Sequence, residues 1–294
     1  SSTAPSDEAM SEELAEAEFD PFRESILAIL AQRNEGGGQD RHLPVLAEYY
    51  SDPSNPALWV DGSAANDKAV TMVEILRTAH LDVLDPDDYN AGTLGNLLNA
   101  ELVPDLANLE VGLSAALLDY PRHLAAGRIE PAKINAELAI FPEVPDPMKV
   151  LTGVRDANDI VAYATLGFEP KTAQYARLRS ALAVFRQLAA VGGWPLVPEG
   201  ETLKEGMVDP VRVPVLRQRL ELAGFLTPGA HSGDTFDGAL MDALKVFQER
   251  HGLEIDGAVG PNTLAELNVT VDERVRQIEL NMERRRWMQD KPGD

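Results

Sequence analysis

The side chains that could carry out chemistry are few in this sequence, and their types exclude several kinds of site. The chain has no cysteine, which removes disulfides, thiolate metal ligands and cysteine nucleophiles together. Five histidines remain, and no two of them have the i, i+4 spacing that places both rings on one helix face. They are His42, His80, His123, His231 and His251. We therefore expect no metal site and no cofactor, and we identify no catalytic residue.

An acidic cluster around Pro86 has some likeness to a calcium-binding loop. Asp85, Asp87 and Asp88 are close in sequence, but a calcium loop of the EF-hand type needs oxygen ligands at alternate positions and glycine at the sixth. Tyr89 and Asn90 occupy the third alternate and the sixth position. The cluster is therefore expected to form a turn and to cap a helix.

Two other kinds of catalytic site are also disfavoured by the sequence. Ser114 follows Gly112 as in the turn that presents a nucleophilic serine, but the second glycine is missing and no strand precedes it. The 48 acidic residues would allow a hydrolase that uses paired carboxylates. No such pair lies in recognisably apolar surroundings, so a hydrolase is the least favoured function.

Composition limits the partners of the chain. Its 294 residues are 44% hydrophobic, enough for a sizeable core in about two domains. The formal net charge of −22 argues against nucleic acid and against anionic membranes, because both are bound through clusters of Lys and Arg. No run approaches the ~20 apolar residues that cross a bilayer, so no transmembrane segment is predicted.

Hydrophobic spacing predicts a mainly α fold, with a helical scaffold domain and a small three-helix domain. Residues 1–17 are small, polar and acidic, which indicates a flexible leader. Residues 18–205 show helical patterns with little strand signal, apart from a short extended piece around Trp59. The widest apolar stripe belongs to the predicted central helix of this domain, and it consists of Leu106, Leu109, Leu113, Ala116 and Leu117.

Residues 206–268 predict three short helices separated by loops that contain glycine. Gly252 suits the left-handed position that follows a helix. Asp256-Gly257 predicts a tight turn. Pro261 suits the first position of the third helix, where its missing N–H group costs nothing. These features together predict one compact module.

This module resembles the peptidoglycan-binding domain type 1. The resemblance rests on a series of matching positions: Leu216, Leu220, Gly224, Ala243, Phe247, Gln248, Gly252, Leu253, Asp256, Gly257, Gly260, Pro261, Thr263 and Leu267. It implies that peptidoglycan is the partner. We expect the motif residues mainly to shape the turn and its helices, with ligand contact by exposed faces nearby. These motif residues are Phe247, Gln248, Gly252, Asp256, Gly257, Gly260, Pro261 and Thr263.

The resemblance extends over the preceding helices. The segments "LEVGLSAALLDYPRHLAAGRIEPAKI" and "YARLRSALAVFRQLAAVGGWPLVPEGETLKEG" are similar to the helical scaffold of the large periplasmic L,D-transpeptidases of the YcbB type. The segment "RQIELNMERRRWM" is similar to the helix that leads into the catalytic domain of that family. The resemblance implies a periplasmic protein whose export signal is removed or not included.

The chain departs from that family where its chemistry would be expected. The catalytic domain of the family is mostly β and carries a His-Gly-Cys motif whose cysteine attacks the donor peptide. This chain has no cysteine and ends at Asp294. We therefore expect the non-catalytic part of a transpeptidase, with residues 269–294 as a linker helix toward the missing catalytic domain of the same polypeptide. The alternative is a stand-alone peptidoglycan-binding or adaptor protein of the same ancestry.

The predicted linker helix carries apolar residues on two sides. At 100° per residue, one stripe consists of Val271, Val275, Ile278 and Met282. Leu280 and Trp287 fall on nearly the opposite side. We expect Val275, Ile278 and Met282 to be buried, and Leu280 and Trp287 to be exposed as a candidate docking face for the catalytic domain.

Overall fold

The computed structural model describes residues 20–35, 40–135, 137–229 and 232–288. Of these residues, 61% are helical and 3% are in strands, which confirms the mainly α fold. The predicted leader, residues 1–17, lies outside the described residues. Contacts divide the chain into a first unit, Ser1–Tyr175 with Glu283–Asp294, and a second unit, Ala176–Met282. The domain boundaries predicted after residues 205 and 268 differ from these divisions and stay predictions.

The first unit is a helical assembly with a small two-stranded ribbon. Its helices are α1 (Pro21–Glu35), α2 (Leu43–Ser51), α3 (Asp67–Arg77), α4 (Ala91–Leu97), α5 (Val103–Ala126), α6 (Pro131–Ile134) and α7 (Pro147–Asp156), with 3₁₀ turns at Ala79–Asp82 and Pro86–Tyr89 and a π-helical turn at Ala162–Leu166. The antiparallel strands β1 (Val60–Asp61) and β2 (Ala64–Ala65) pair Val60 with Ala65. Helix α8 (Ala173–Ala190) begins in this unit and continues into the second.

Helix α5 is the centre of the first unit, as its apolar stripe predicts. Helix α1 lies along it, and α3, α4 and α7 also pack against it. Leu109, Leu113 and Leu117 are fully buried in this contact. Burial of a leucine side chain stabilises a fold by roughly 1.5–3 kcal/mol, so these contacts hold the helices around α5.

A buried carboxylate ties β1 to α5. Glu110 is inaccessible to solvent, and its Oε1 accepts hydrogen bonds from the Tyr50 hydroxyl at 2.7 Å and the Leu58 N–H at 2.6 Å. Its Oε2 accepts the Trp59 N–H at 3.0 Å. One turn later, Ser114 Oγ accepts the Trp59 Nε1–H at 2.8 Å and shares a 2.7 Å hydrogen bond with Tyr50. Ser114 is therefore a core residue, in agreement with the rejection of a nucleophile there.

The acidic cluster caps a helix, as expected. Asp85 Oδ1 accepts the Asp87 N–H at 3.0 Å at the start of the 3₁₀ turn Pro86–Tyr89. Within the described residues, no group of three His, Asp or Glu side chains is arranged to hold a metal ion. None of the described helices combines the length and apolar character needed to cross a membrane.

The second unit contains the three helices predicted for the module. They are α9 (Arg212–Leu222), α10 (Gly238–Arg250) and α11 (Pro261–Leu267), followed by α12 (Val271–Trp287), whose last residues belong to the first unit. The core of the module is apolar and fully buried: Val213, Leu216, Leu220, Phe236, Leu240, Leu244, Phe247 and Leu267. Backbone bridges join Leu203 to Val259 and Val208 to Thr235, and so fasten the preceding loop to the module.

Glu110 makes the stability of the first unit depend on pH. Burial raises the pKa of Glu110 to about 7 from 4.5, against the opposing effect of its hydrogen-bond donors. The native state therefore holds this proton more tightly than the unfolded chain does. The contribution is complete below about pH 4.5 and is lost as the pH rises through about 7. We expect the free energy of unfolding to fall by about 1.4 kcal/mol per pH unit in this range, relative to Glu110→Gln.

Denaturant unfolding of the full chain, followed by circular dichroism between pH 4 and pH 8, measures this difference. Glu110→Gln lacks the titrating proton and keeps the side-chain volume, so it serves as the reference. Parallel pH profiles for the two proteins would contradict the assignment to Glu110.

Candidate functional site

The glycine-rich turn after α10 is positioned by the two ends of that helix. At its start, Asp237 Oδ1 accepts the Leu240 N–H at 2.9 Å and caps the helix. At its end, His251 is the C-cap residue, and Gly252 follows with φ +66°, the left-handed conformation expected for it. The last helical turn directs Phe247 and Gln248 into the core, where both are fully buried.

The side-chain amide of Gln248 organises the turn. The two N–H groups of its Nε2 are shared among three acceptors, Asp256 Oδ1 at 2.8 Å, the Ala258 carbonyl at 3.1 Å and Thr263 Oγ1 at 3.1 Å. Its Oε1 accepts the Gly257 N–H at 2.9 Å. One buried amide therefore connects α10, the Asp256-Gly257 turn and α11. The sequence motif gives the order of these three parts along the chain, but not the contacts that join them.

The other motif residues also have structural contacts. Phe247 packs edge-on against Phe225 with ring centroids 5.3 Å apart and stacks on the His251 ring at 4.1 Å. Pro261 is the first residue of α11, with Gly260 in extended backbone before it. These contacts explain why such residue types occur at these positions. Contact of any of them with a ligand stays a prediction.

Asp256 presents a carboxylate at the surface of the turn. Its Oδ1 accepts the Ala258 N–H at 2.9 Å as well as the Gln248 amide. The Ala258 N–H and the Gln248 amide, with a smaller contribution from the Lys204 ammonium, hold the pKa of Asp256 below its usual value. The carboxyl is therefore ionised at neutral pH, and one of its oxygens is occupied within the turn.

Two lysines flank this turn, and sequence reasoning missed both of them. Lys204 is exposed and its charge acts on Asp256. The Lys245 side chain passes Gly257 so closely that a Cβ on this glycine would lie 2.9 Å from Lys245 Cε. Neither ammonium group forms an ion pair or side-chain hydrogen bond with a described residue. The sequence from 176 to 282 contains two lysines, and these are the two. This could have been noticed in the sequence, but neither lysine belongs to the motif.

Unlike the two lysines, three arginines of α9 are buried, and their guanidinium groups bind other parts of the protein. Arg217 Nη2 donates to the Thr235 carbonyl at 2.7 Å and to Asp237 at 2.8 Å. Arg219 Nε donates to the Leu267 carbonyl at 2.7 Å, with its guanidinium 3.6 Å from the centre of the Trp194 ring. Arg212 donates to the Glu201 carbonyl at 2.7 Å in the same way. These cations connect loops to α9 and are not presented to a ligand.

The first unit contains a separate cavity of about 530 Å³ beside α5. At one of its walls, His42 Nε2 lies 2.9 Å from Asp119 Oδ1. Small residues of α5, including Gly112 and Ala116, also line it. None of the predicted site residues lies here. The lining comes from several separate segments of the sequence, and no short motif marks it.

The burial of the residues of α12 agrees with the prediction at some positions and differs from it at others. Met282 is fully buried and Leu280 is 58% exposed, as expected, whereas Val275 and Ile278 are only partly buried. Trp287 is not the open aromatic residue that was expected, because it is partly buried. Its indole lies beside the backbone of Gly127 within the first unit, where a Cβ would meet Trp287 Nε1 at 2.5 Å. The docking face itself stays a prediction.

The end of α12 is fixed by a buried arginine. Arg286 is fully buried and donates to the Tyr175 hydroxyl at 2.8 Å and to the Asp82 carbonyl. Its Nη1 also lies 3.1 Å from Glu283 Oε2. Arg286 therefore binds mainly a carbonyl and a hydroxyl in the core of the first unit, beside its Glu283 contact.

Two protein-family models match separate parts of the chain. The model of a scaffold domain matches residues 44–182, and the model of a putative peptidoglycan binding domain matches residues 211–267. No curated protein matches the chain. The second match contains α9 to α11 and the whole Gln248 network, so it supports a peptidoglycan-binding role. The first covers most of the helices around α5 and supports a scaffold connected with that role.

Gln248→Ala should destabilise the second unit by about 3 kcal/mol, because it leaves several buried or turn-forming polar groups without partners. Denaturant unfolding of the full chain measures the loss. Glu249→Ala is the matched control, since Glu249 is the exposed neighbour on the same helix. The control should change stability by no more than about 0.5 kcal/mol. Equal stability of the two variants would contradict the organising role of Gln248.

Gly257→Ala and Gly252→Ala separate backbone strain from crowding. Both glycines have positive φ, +68° and +66°, so alanine costs about 1–2 kcal/mol at either position. Only at Gly257 would the new Cβ approach Met241 Cγ at 2.8 Å and Lys245 Cε at 2.9 Å, whereas Gly252 is open. We expect Gly257→Ala to lower the free energy of unfolding by about 1 kcal/mol more than Gly252→Ala. A larger loss at Gly252 would show that crowding is not the difference.

Proposed function

We propose that this chain is the non-catalytic part of a periplasmic L,D-transpeptidase, in which a helical scaffold and a peptidoglycan-binding module serve cell-wall cross-linking. The observation that carries the proposal is the match of residues 211–267 to a putative peptidoglycan binding domain, together with the intact turn around Gln248. The scaffold match over residues 44–182 and the sequence resemblance described above support the transpeptidase connection.

The chain as it stands lacks the nucleophile for this chemistry. Acyl transfer of the expected kind needs an activated thiolate, and the sequence contains no cysteine. The hydroxyl of Ser114 is buried and hydrogen-bonded to Tyr50 and Trp59, so it offers no substitute. The two family matches are likewise not catalytic domains. In this proposal the catalytic domain belongs to the same polypeptide, and the exposed Leu280 is part of the surface that meets it.

A stand-alone wall-binding or adaptor protein remains the second candidate function. It is favoured by the same match to a binding module. Both candidates require binding to peptidoglycan. They differ in whether the natural polypeptide contains a further domain with a catalytic cysteine, which the full-length gene product reveals directly.

The binding role predicts that the chain sediments with purified sacculi. A module this small offers limited contact area, so a single site should bind with micromolar or weaker affinity, about −8 kcal/mol at most. Many sites on one polymer would still retain the protein. The chain should form no new cross-links when it is incubated with tetrapeptide-bearing muropeptides.

Gln248→Ala provides the control, because it disrupts the module and leaves the first unit unchanged. It should reduce the sedimented fraction, whereas Glu249→Ala should not. A wild-type chain that stays entirely in the supernatant would contradict the binding role. Cross-linking above that of a blank reaction would contradict the assignment as non-catalytic.

A further inference from the structure

We infer that the module recognises the free carboxylates of the peptide stems of peptidoglycan, through the ammonium groups of Lys204 and Lys245 beside the Asp256-Gly257 turn. This inference rests on the proposed function. It goes further by naming the part of the polymer that is recognised and the residues that bind it. Neither lysine belongs to the motif that identifies the module.

Two observations place the lysines at the turn: the backbone pairing of Leu203 with Val259, and the lack of a side chain at Gly257. Leu203 and Val259 exchange hydrogen bonds, N to O at 3.4 Å and 2.9 Å, so the next residue, Lys204, emerges beside the turn. Lys245 reaches the turn from α10, and its side chain occupies the space that a Cβ on Gly257 would require. The absence of a side chain at Gly257 therefore serves the turn and also makes room for a cation.

The two ammonium groups at the turn can bind an anion, although the chain as a whole is strongly acidic. With a net charge of −22, a lysine here would be expected to form an ion pair, yet neither Lys204 nor Lys245 forms one with a described residue. Asp256 contributes one negative charge, but its Oδ1 is occupied by Gln248 and the Ala258 N–H. Two ammonium groups that form no ion pair therefore flank one engaged carboxylate at this turn, and such groups complement a ligand carboxylate.

The same surface is poorly suited to sugar rings. The apolar faces of sugars pack on open aromatic rings, and between residues 204 and 268 the sequence has only three aromatic residues of the Phe, Tyr or Trp type. Phe236 and Phe247 are fully buried. Phe225 is partly buried, packs against Phe247 and lies under the Arg250 guanidinium at 5.5 Å. The N-acetylated glycan backbone is uncharged, whereas the peptide stems carry carboxylates, so charge and shape both favour the stems.

The test compares probes that carry or lack carboxylates. Full-length chain bound to intact sacculi is challenged with the soluble tetrapeptide stem, with the same peptide after amidation of its carboxyl groups, and with an N-acetylglucosamine oligomer. The acidic peptide should displace the chain and shift the NMR signals of the Gly257 and Ala258 amides. The other two probes should do neither. Raising the salt concentration should weaken binding, because exposed charges are screened.

Charge-removing variants assign the effect to the two lysines. Lys204→Gln with Lys245→Gln should weaken binding to sacculi about tenfold at low ionic strength, the sum expected for two charge contacts near the surface. Lys149→Gln with Lys171→Gln removes the same charge from two exposed positions of the first unit and should bind like wild type. Circular dichroism and the melting temperature check that both pairs fold.

The outcomes separate this inference from the proposed function. If wild type binds sacculi but the Lys204 and Lys245 pair binds equally well, the inference is wrong and the proposed function stands. Equal displacement by the amidated peptide, or displacement by the sugar oligomer, would overturn the inference in the same way. If wild type does not bind sacculi at all, the proposed function fails and the inference fails with it.

Discussion

The buried side-chain amide of Gln248 is the interaction on which the candidate site depends. An amide removed from water must have its donors and acceptor satisfied, because an unpaired polar group in a protein interior costs free energy. Gln248 meets this requirement with groups from three segments, through Asp256, Gly257 and Thr263 among others. The loop is thereby held in one conformation, and the residues around it are presented at defined positions rather than on a mobile segment.

The first unit follows the same physical rule with an ionisable group. Glu110 is removed from water on α5, and it is tolerated because hydrogen bonds from Tyr50, Leu58 and Trp59 surround it. Since these donors come from another part of the chain, the carboxyl fastens the segment before β1 to the central helix. Each unit therefore contains a buried side chain whose hydrogen bonds join distant segments, while leucines and aromatic residues supply the bulk of the burial.

Cations in the second unit are divided by burial into two uses. Arg212, Arg217 and Arg219 satisfy backbone carbonyls inside the module, and burial lowers the pKa of Arg219 to about 10. The planar guanidinium suits this use, since it offers several donors in a fixed arrangement. Lys204 is exposed and Lys245 is half-buried, and neither forms an ion pair with a described residue. The proposed recognition of an anionic group depends on these local cations and not on the net charge.

Patterns that depend on near neighbours in the sequence predicted a large part of the fold. The stripe of α5, the left-handed Gly252, the helix start at Pro261 and the cap formed by Asp85 all result from local geometry. Helical periodicity alone was less informative for α12. It separated Met282 from Leu280, but it could not indicate that Gly127 would shelter Trp287, because that contact joins residues distant in the sequence.

The sequence by itself determined what chemistry is absent and what local structures are present. The lack of cysteine excludes a thiolate in this chain, and glycine and proline at particular positions require particular turns. The tertiary structure decided which side chains meet: Glu110 with Trp59, Gln248 with Thr263, and Lys245 with Gly257. Such contacts depend on how separate elements pack and on which buried polar groups find partners. Both are set by residues distant in the sequence, so no local sequence pattern predicts them.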